Sequence, residues 1–327
     1  MTRPSKQTGG VLSGLRVPRR TCLKALGAAW IASQSPALLA ADRPVKRENI
    51  RLGVDSGAYS QLPVAEAARR IKADGFHCVL CAYHFADAHF DPLKPDWPVA
   101  EKIAGAFQDQ GITISAVFGY VNVIDPNEAR RKAGEARLHA LLKNWKRLGC
   151  RNISTETGTY NETSQWLDAP KNFTEEGYAA CRDAFTKLAK VAEDAGAVLS
   201  IEAYWRNCIA SIQRAVRLFE DVTSPGLGLV MDPCNYFRKE DLPQMRPMLE
   251  EMFARLSDHI VVAHAKDVKA AAEGTDLPAS GRGVLDYPLY LRLLAQLGRP
   301  MDLILEHLTL DDVPRARDFV LAQMETV

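Results

Sequence analysis

From residue 50 to the end of the chain, one pattern recurs: a short apolar run, then a stretch of helical periodicity. The runs are IRLGVD (50–55), FHCVLCAY (76–83), ITISAVFGY (112–120), RNISTET (151–157), AVLSIEAY (197–204), LGLVMDP (227–233), HIVVAHAKD (259–267) and MDLILEH (301–307). Each is short and rich in branched residues, as a buried strand is, and the stretches at 63–75, 178–196, 212–222 and 287–298 read as amphipathic helices. Gly75, Gly149, Gly196 and Gly298 follow helical stretches, where a left-handed cap stops a helix. Strands alternating with helices demand a parallel sheet, because a parallel partner is reached only through a crossover. Eight such units within residues 42–327 predict an α/β protein, a single-domain (β/α)8 TIM barrel. A doubly wound open sheet is the alternative, but no G-x-G-x-x-G follows the first run.

The first forty residues read differently. Arg19 and Arg20, with Leu23 and Lys24 behind them, precede a modest apolar stretch that ends in small residues. This is the pattern of a twin-arginine signal peptide, expected over residues 1–41, and it predicts export to the periplasm. Ser33, Ser35 and Pro36 break the stretch, so no stable membrane span is expected. The formal net charge of +1 gives no electrostatic hold on nucleic acid and points to a small-molecule partner. Cys78 and Cys81 sit three apart within one run, which puts them on opposite faces of a strand; neither a redox pair nor a zinc clip fits. All the cysteines after residue 42 read as buried thiols.

In a TIM barrel the C-terminal ends of the strands converge on the active site. The last four runs end in Glu202, Asp232, His264 and Glu306. Singly, each has an ordinary structural explanation. Together, three carboxylates meeting at one mouth would resist ionisation unless a cation neutralised them. Three oxygen donors and one nitrogen suit one divalent metal ion, Mn²⁺, Co²⁺, Mg²⁺ or Zn²⁺, and the absence of thiolate argues against structural zinc.

These strand ends, with Asp-Pro-x-Asn at 232–235, His-x-Lys-Asp at 264–267 and the loop GRGVLDYPLYLRLL at 281–294, resemble the sugar phosphate isomerase/epimerase superfamily, the xylose isomerase-like TIM barrels. That group includes ketose 3-epimerases, inosose dehydratases and family 2 AP endonucleases. The resemblance implies a metal held by Glu202, Asp232, His264 and Glu306, with Glu202 and Glu306 also exchanging protons as the catalytic pair. It implies isomerisation or epimerisation of a carbohydrate or polyol by proton abstraction next to a carbonyl. A lyase or hydratase acting on a keto-sugar or keto-glycoside is the alternative, and a non-catalytic sugar-binding barrel organised by its metal is a third reading. A homo-oligomer is compatible with all three. Asn235 stands where the epimerases often carry His, and Cys208 where they carry a second Glu, which points away from a free ketose.

Further polar residues at the mouth are expected to contact substrate: His84, Asn122, Glu156, Arg206, Asn235, Lys266 and Arg282. Lys266 would meet a substrate oxygen, Asp267 would orient a side chain or a loop, and Arg282 would clamp an oxygen or carboxylate. His307, next to Glu306 on a strand, should point away from the site.

Overall fold

The computed structural model describes residues 47–326; the expected signal peptide at residues 1–41 lies outside the described residues. Eight strands close a parallel barrel in sequential order: β1 (Ile50–Asp55), β2 (Cys78–Cys81), β3 (Thr113–Phe118), β4 (Asn152–Glu156), β5 (Val198–Glu202), β6 (Leu227–Met231), β7 (Ile260–Ala265) and β8 (Met301–Leu305). The closure is between β8 and β1, from Ile50↔Met301 to Val54↔Leu305. Among the described residues eight α-helices cover the outside: α1 (Val64–Ala73), α2 (Trp97–Asp109), α3 (Glu128–Lys143), α4 (Glu175–Ala195), α5 (Ile212–Asp221), α6 (Met245–Leu256), α7 (Tyr287–Ala295) and α8 (Val313–Met324). The barrel expected from the repeating runs is therefore the fold. No helix among the described residues is long and apolar enough to cross a membrane.

Local chemistry sets the helix ends. Thr174 accepts from the Gly177 N–H to start α4, and Ser211 accepts from the Arg214 N–H to start α5, each satisfying a donor that has no partner within its helix. Gly196 ends α4 at φ 69°, a left-handed conformation that costs a glycine little.

The core has two parts. Helices and the outer faces of the strands form the larger, while Cys78, Leu80, Ala116, Val230, Val262 and Ile304 form a small plug inside the barrel. Cys78 belongs to the inner plug and Cys81 to the outer core, so the two thiols do face opposite ways; both are free and buried. Gly53 on β1 makes room for the plug: a Cβ there would lie 2.5 Å from the Cys78 carbonyl oxygen and 2.7 Å from Ile304.

Candidate active site at the barrel mouth

Strand alternation carries the plug into a polar layer. On β6, Val230 is followed two residues on by Asp232; on β7, Val262 by His264 and then Lys266; on β8, Ile304 by Glu306. On β4 and β5 the inward pair Ser154 and Ser200, 2.8 Å apart, precedes Glu156 and Glu202, which are register partners. β6, β7 and β8 thus supply apolar packing below and a functional group above, while β4 and β5 supply a serine pair below and a glutamate pair above.

His264 Nδ1 lies 3.1 Å from Glu306 Oε2, 3.5 Å from Glu202 Oε1 and 3.9 Å from Asp232 Oδ2. One donor atom from each of the four residues falls within 4.8 Å of the others, and all four side chains are buried. Both His264 nitrogens and Asp232 Oδ2 have no hydrogen-bond partner. Buried polar atoms are rarely left so, and a divalent cation among them would satisfy the set. The residues fit such an ion.

The surrounding groups hold the four in place. Asn235 Nδ2 donates to Glu202 Oε1 at 2.7 Å, and the Tyr120 hydroxyl donates to Glu202 Oε2. Tyr290 donates to the His264 carbonyl at 2.8 Å, and the Tyr287 hydroxyl lies 2.8 Å from the Lys266 carbonyl, so α7 pins the end of β7. Lys266 Nζ is 2.5 Å from Glu306 Oε1 and 2.7 Å from Asp232 Oδ2, the latter an ion contact out of line for a hydrogen bond.

Charge and burial divide the carboxyls. Burial alone would raise Glu306, but Lys266 and His264 outweigh it and hold the carboxyl well below its ordinary value. Glu202 is likewise lowered, burial being overcome chiefly by His264. Burial pushes Asp232 up to about 8 and Glu156 well above the usual carboxylate range. In His264, burial is outweighed by Glu306 and Glu202, which hold the imidazole well above its ordinary value.

The expected substrate contacts separate in space. Glu156 and Asn235 are at the cluster, and Glu156 Oε2 is without a partner. Lys266 lies among the carboxylates themselves. Asn122 spends its amide on the loops, donating to Thr159 O at 2.7 Å and accepting from the Thr159 N–H at 3.0 Å. Arg206 pairs with Asp168 at 3.0 Å and lies over the Trp205 ring, and Arg282 pairs with Asp312 at 2.5 Å. His84 is exposed on a two-stranded hairpin, against His89. Asp267 is a loop organiser, accepting from the N–H groups of Val268, Gly281 and Leu285. His307 does not point away as expected: at φ 56° it breaks the strand alternation, and its Nε2 lies 3.8 Å from Glu306 Oε1.

Two groups at the mouth carry no role in the sequence reading. Asp55 ends β1 as Glu202 ends β5, and that position was the available signal. Tyr236 follows Asp232 on a 3₁₀ turn, its buried hydroxyl unpartnered, and nothing local in the sequence marks it.

A closed parallel barrel with acid and imidazole side chains at its C-terminal mouth defines the general class, a TIM barrel with a candidate metal centre. The chain belongs to the family described as Xylose isomerase-like TIM barrel, which matches residues 65–320. Among curated proteins none matches the sequence. Three solved structures illustrate the likeness of fold. A xylose isomerase-like TIM barrel protein from Mycobacterium smegmatis, in complex with magnesium, is 17% identical; the match covers 86% of this chain and 98% of that one, with TM-score 0.62. An L-ribulose 3-epimerase is 17% identical over 85% of this chain and 95% of its own, with TM-score 0.63. A 3-keto-D-glucoside 4-epimerase from E. coli is 18% identical over 85% and 100%, with TM-score 0.62.

Proposed function

We propose that this protein is a divalent-metal-dependent sugar isomerase or epimerase that abstracts a proton next to a carbonyl. The observation that carries the reading is the flanking of one imidazole by two separately anchored carboxylates, Glu202 at 3.5 Å and Glu306 at 3.1 Å. A cation held by Glu202, Asp232, His264 and Glu306 would supply Lewis acidity to the substrate carbonyl oxygen. Glu202, its plane fixed by Asn235 and Tyr120, takes the proton from the neighbouring carbon. Glu306, ionised and hydrogen-bonded by the Lys266 ammonium, passes a proton drawn from that ammonium to the other face, which inverts the carbon. The epimerases among the similar folds support this reading.

A second reading, elimination from a keto-sugar or keto-glycoside, is favoured by Glu156. Its carboxyl is buried, pushed toward the neutral form and beside Glu202, as an acid that protonates a leaving oxygen should be. Keto-sugars and keto-glycosides supplied with Mn²⁺ or Co²⁺ in D₂O, followed by NMR, separate the readings. Deuterium entering without loss of water or aglycone marks epimerisation; release marks elimination. Glu202→Gln and Glu306→Gln should each lower exchange by about 10²-fold or more. Full exchange in both variants would discard the pair.

Residues 1–41 carry the further proposal of twin-arginine export to the periplasm. Replacing Arg19 and Arg20 by Lys should leave the protein in the cytoplasmic fraction, and unchanged export would reject it.

A further inference from the structure

The loop from β4 to α4 presents Trp166 and Leu167 to solvent, 45% and 44% exposed. Adjacent large apolar side chains held in the open offer an apolar contact surface. Here the loop is tied down. Asn161 Oδ1 accepts from the N–H groups of Thr163 and Ser164, each at 3.0 Å, and Asn161 Nδ2 donates to Asp168 O at 3.0 Å. Thr159 Oγ1 donates to Leu167 O at 2.8 Å, and Arg206 holds Asp168 at 3.0 Å. The indole is thus kept outside by polar ties on both sides of it.

Its inner neighbour is Tyr120, with ring centroids 6.4 Å apart and planes inclined by 39°. Tyr120 packs in turn on Phe118 at 4.4 Å and donates its hydroxyl to Glu202. An unbroken aromatic wall therefore runs from the barrel interior, past the carboxylate proposed to take the proton, to the solvent.

The geometry points to a subsite for a second ring: the substrate is a glycoside whose reacting sugar sits at Glu202 and Glu306 while its aglycone lies on Trp166. A flat aromatic face suits the C–H face of a pyranose or an aryl ring, and a rigid one loses little entropy on binding. This rests on the proposed sugar chemistry and names its substrate class.

The test is binding of paired methyl and 4-nitrophenyl glycosides of glucose, galactose and mannose, and of their 3-keto forms, to the Mn²⁺-loaded protein by calorimetry. A disaccharide of each sugar forms a third arm. In any series that binds, the ringed aglycone should bind about five- to tenfold tighter than methyl. Trp166→Ala should bring that ratio close to one, and Trp166→Phe should keep most of it. Gain with the aryl arm alone assigns the subsite to an aryl aglycone, and gain with the disaccharide to a second sugar. Binding of methyl glycosides with no gain for either ring overturns the subsite and spares the sugar reading. Absence of binding throughout the panel overturns both. If Trp166→Ala instead splits an oligomer and leaves the ratio unchanged, the exposed indole is an interface and the subsite is discarded.

Discussion

The Lys266 ammonium lies 2.7 Å from Asp232 Oδ2 and 2.5 Å from Glu306 Oε1, so a side-chain cation already stands among the carboxylates proposed to hold the metal. With His264 it offsets three buried acids that would otherwise repel one another. Lys266→Met removes that charge without much loss of volume. In EDTA the variant should be less stable by about 3 kcal/mol, the order expected when one partner of a buried ion pair is removed. Added Mn²⁺ should raise its melting temperature more than that of the native protein. Equal response of the two proteins to metal would show that Lys266 contributes nothing to the charge balance.

Asn235 donates to Glu202 Oε1, and Tyr120 to the other oxygen of the same carboxylate. Hydrogen bonds to a charged acceptor contribute about 1.5–3 kcal/mol, so Asn235→Ala should lower turnover by about 10- to 100-fold. Metal content should fall little, because the Asn235 side chain bonds only one of the four proposed ligands, and its backbone bond to the Asp232 carbonyl survives the substitution. Loss of stoichiometric metal in this variant would mean that Asn235 holds the centre rather than the base.

Asp55 closes β1 at the mouth, and burial pushes its carboxyl up to about 6, above the ordinary carboxylate range. Folding therefore favours its protonated form. Its contribution to stability is fully present below the unfolded pKa and is lost as pH rises through the folded one. Asp55→Asn keeps an acceptor for the Gly57 N–H and cannot ionise. In metal-free protein it should raise the melting temperature near pH 7.5 by about 4 °C, with the gain fading toward about pH 4. Identical melting curves at both pH values would contradict the burial argument.

Gly53 leaves space that Cys78 and Ile304 fill, and a Cβ would meet backbone oxygen at 2.5 Å. Gly53→Ala should destabilise the barrel by about 1–3 kcal/mol, read from urea unfolding. A neutral result would mean that β1 and β2 move apart at little cost.

The architecture was legible because runs such as LGLVMDP and MDLILEH put their apolar residues where β6 and β8 form, and because strand ends are where a barrel gathers chemistry. The two hairpins, His84–His89 and Lys269–Asp276, were not, since strands of two residues have no period to detect. Lys266 was legible as a mouth residue, but its contact with Asp232 and Glu306 depends on how closely β6, β7 and β8 approach. Tyr120 reaches Glu202 across β4, a relation that only the side-by-side pairing of β3, β4 and β5 creates. Arg282 shows the opposite limit: a guanidinium between glycines reads as a clamp until Asp312 of the next loop takes it.

The plug of Cys78, Leu80, Ala116, Val230, Val262 and Ile304 fills the barrel beneath the carboxylates, with the Ser154 and Ser200 hydroxyls bonded to each other beside it. The site is therefore a blind well. Substrate and product share one doorway, so a second molecule waits until the first has left. A proton taken up by Glu202 reaches bulk water only through the mouth, and a bound ring would cover that way out.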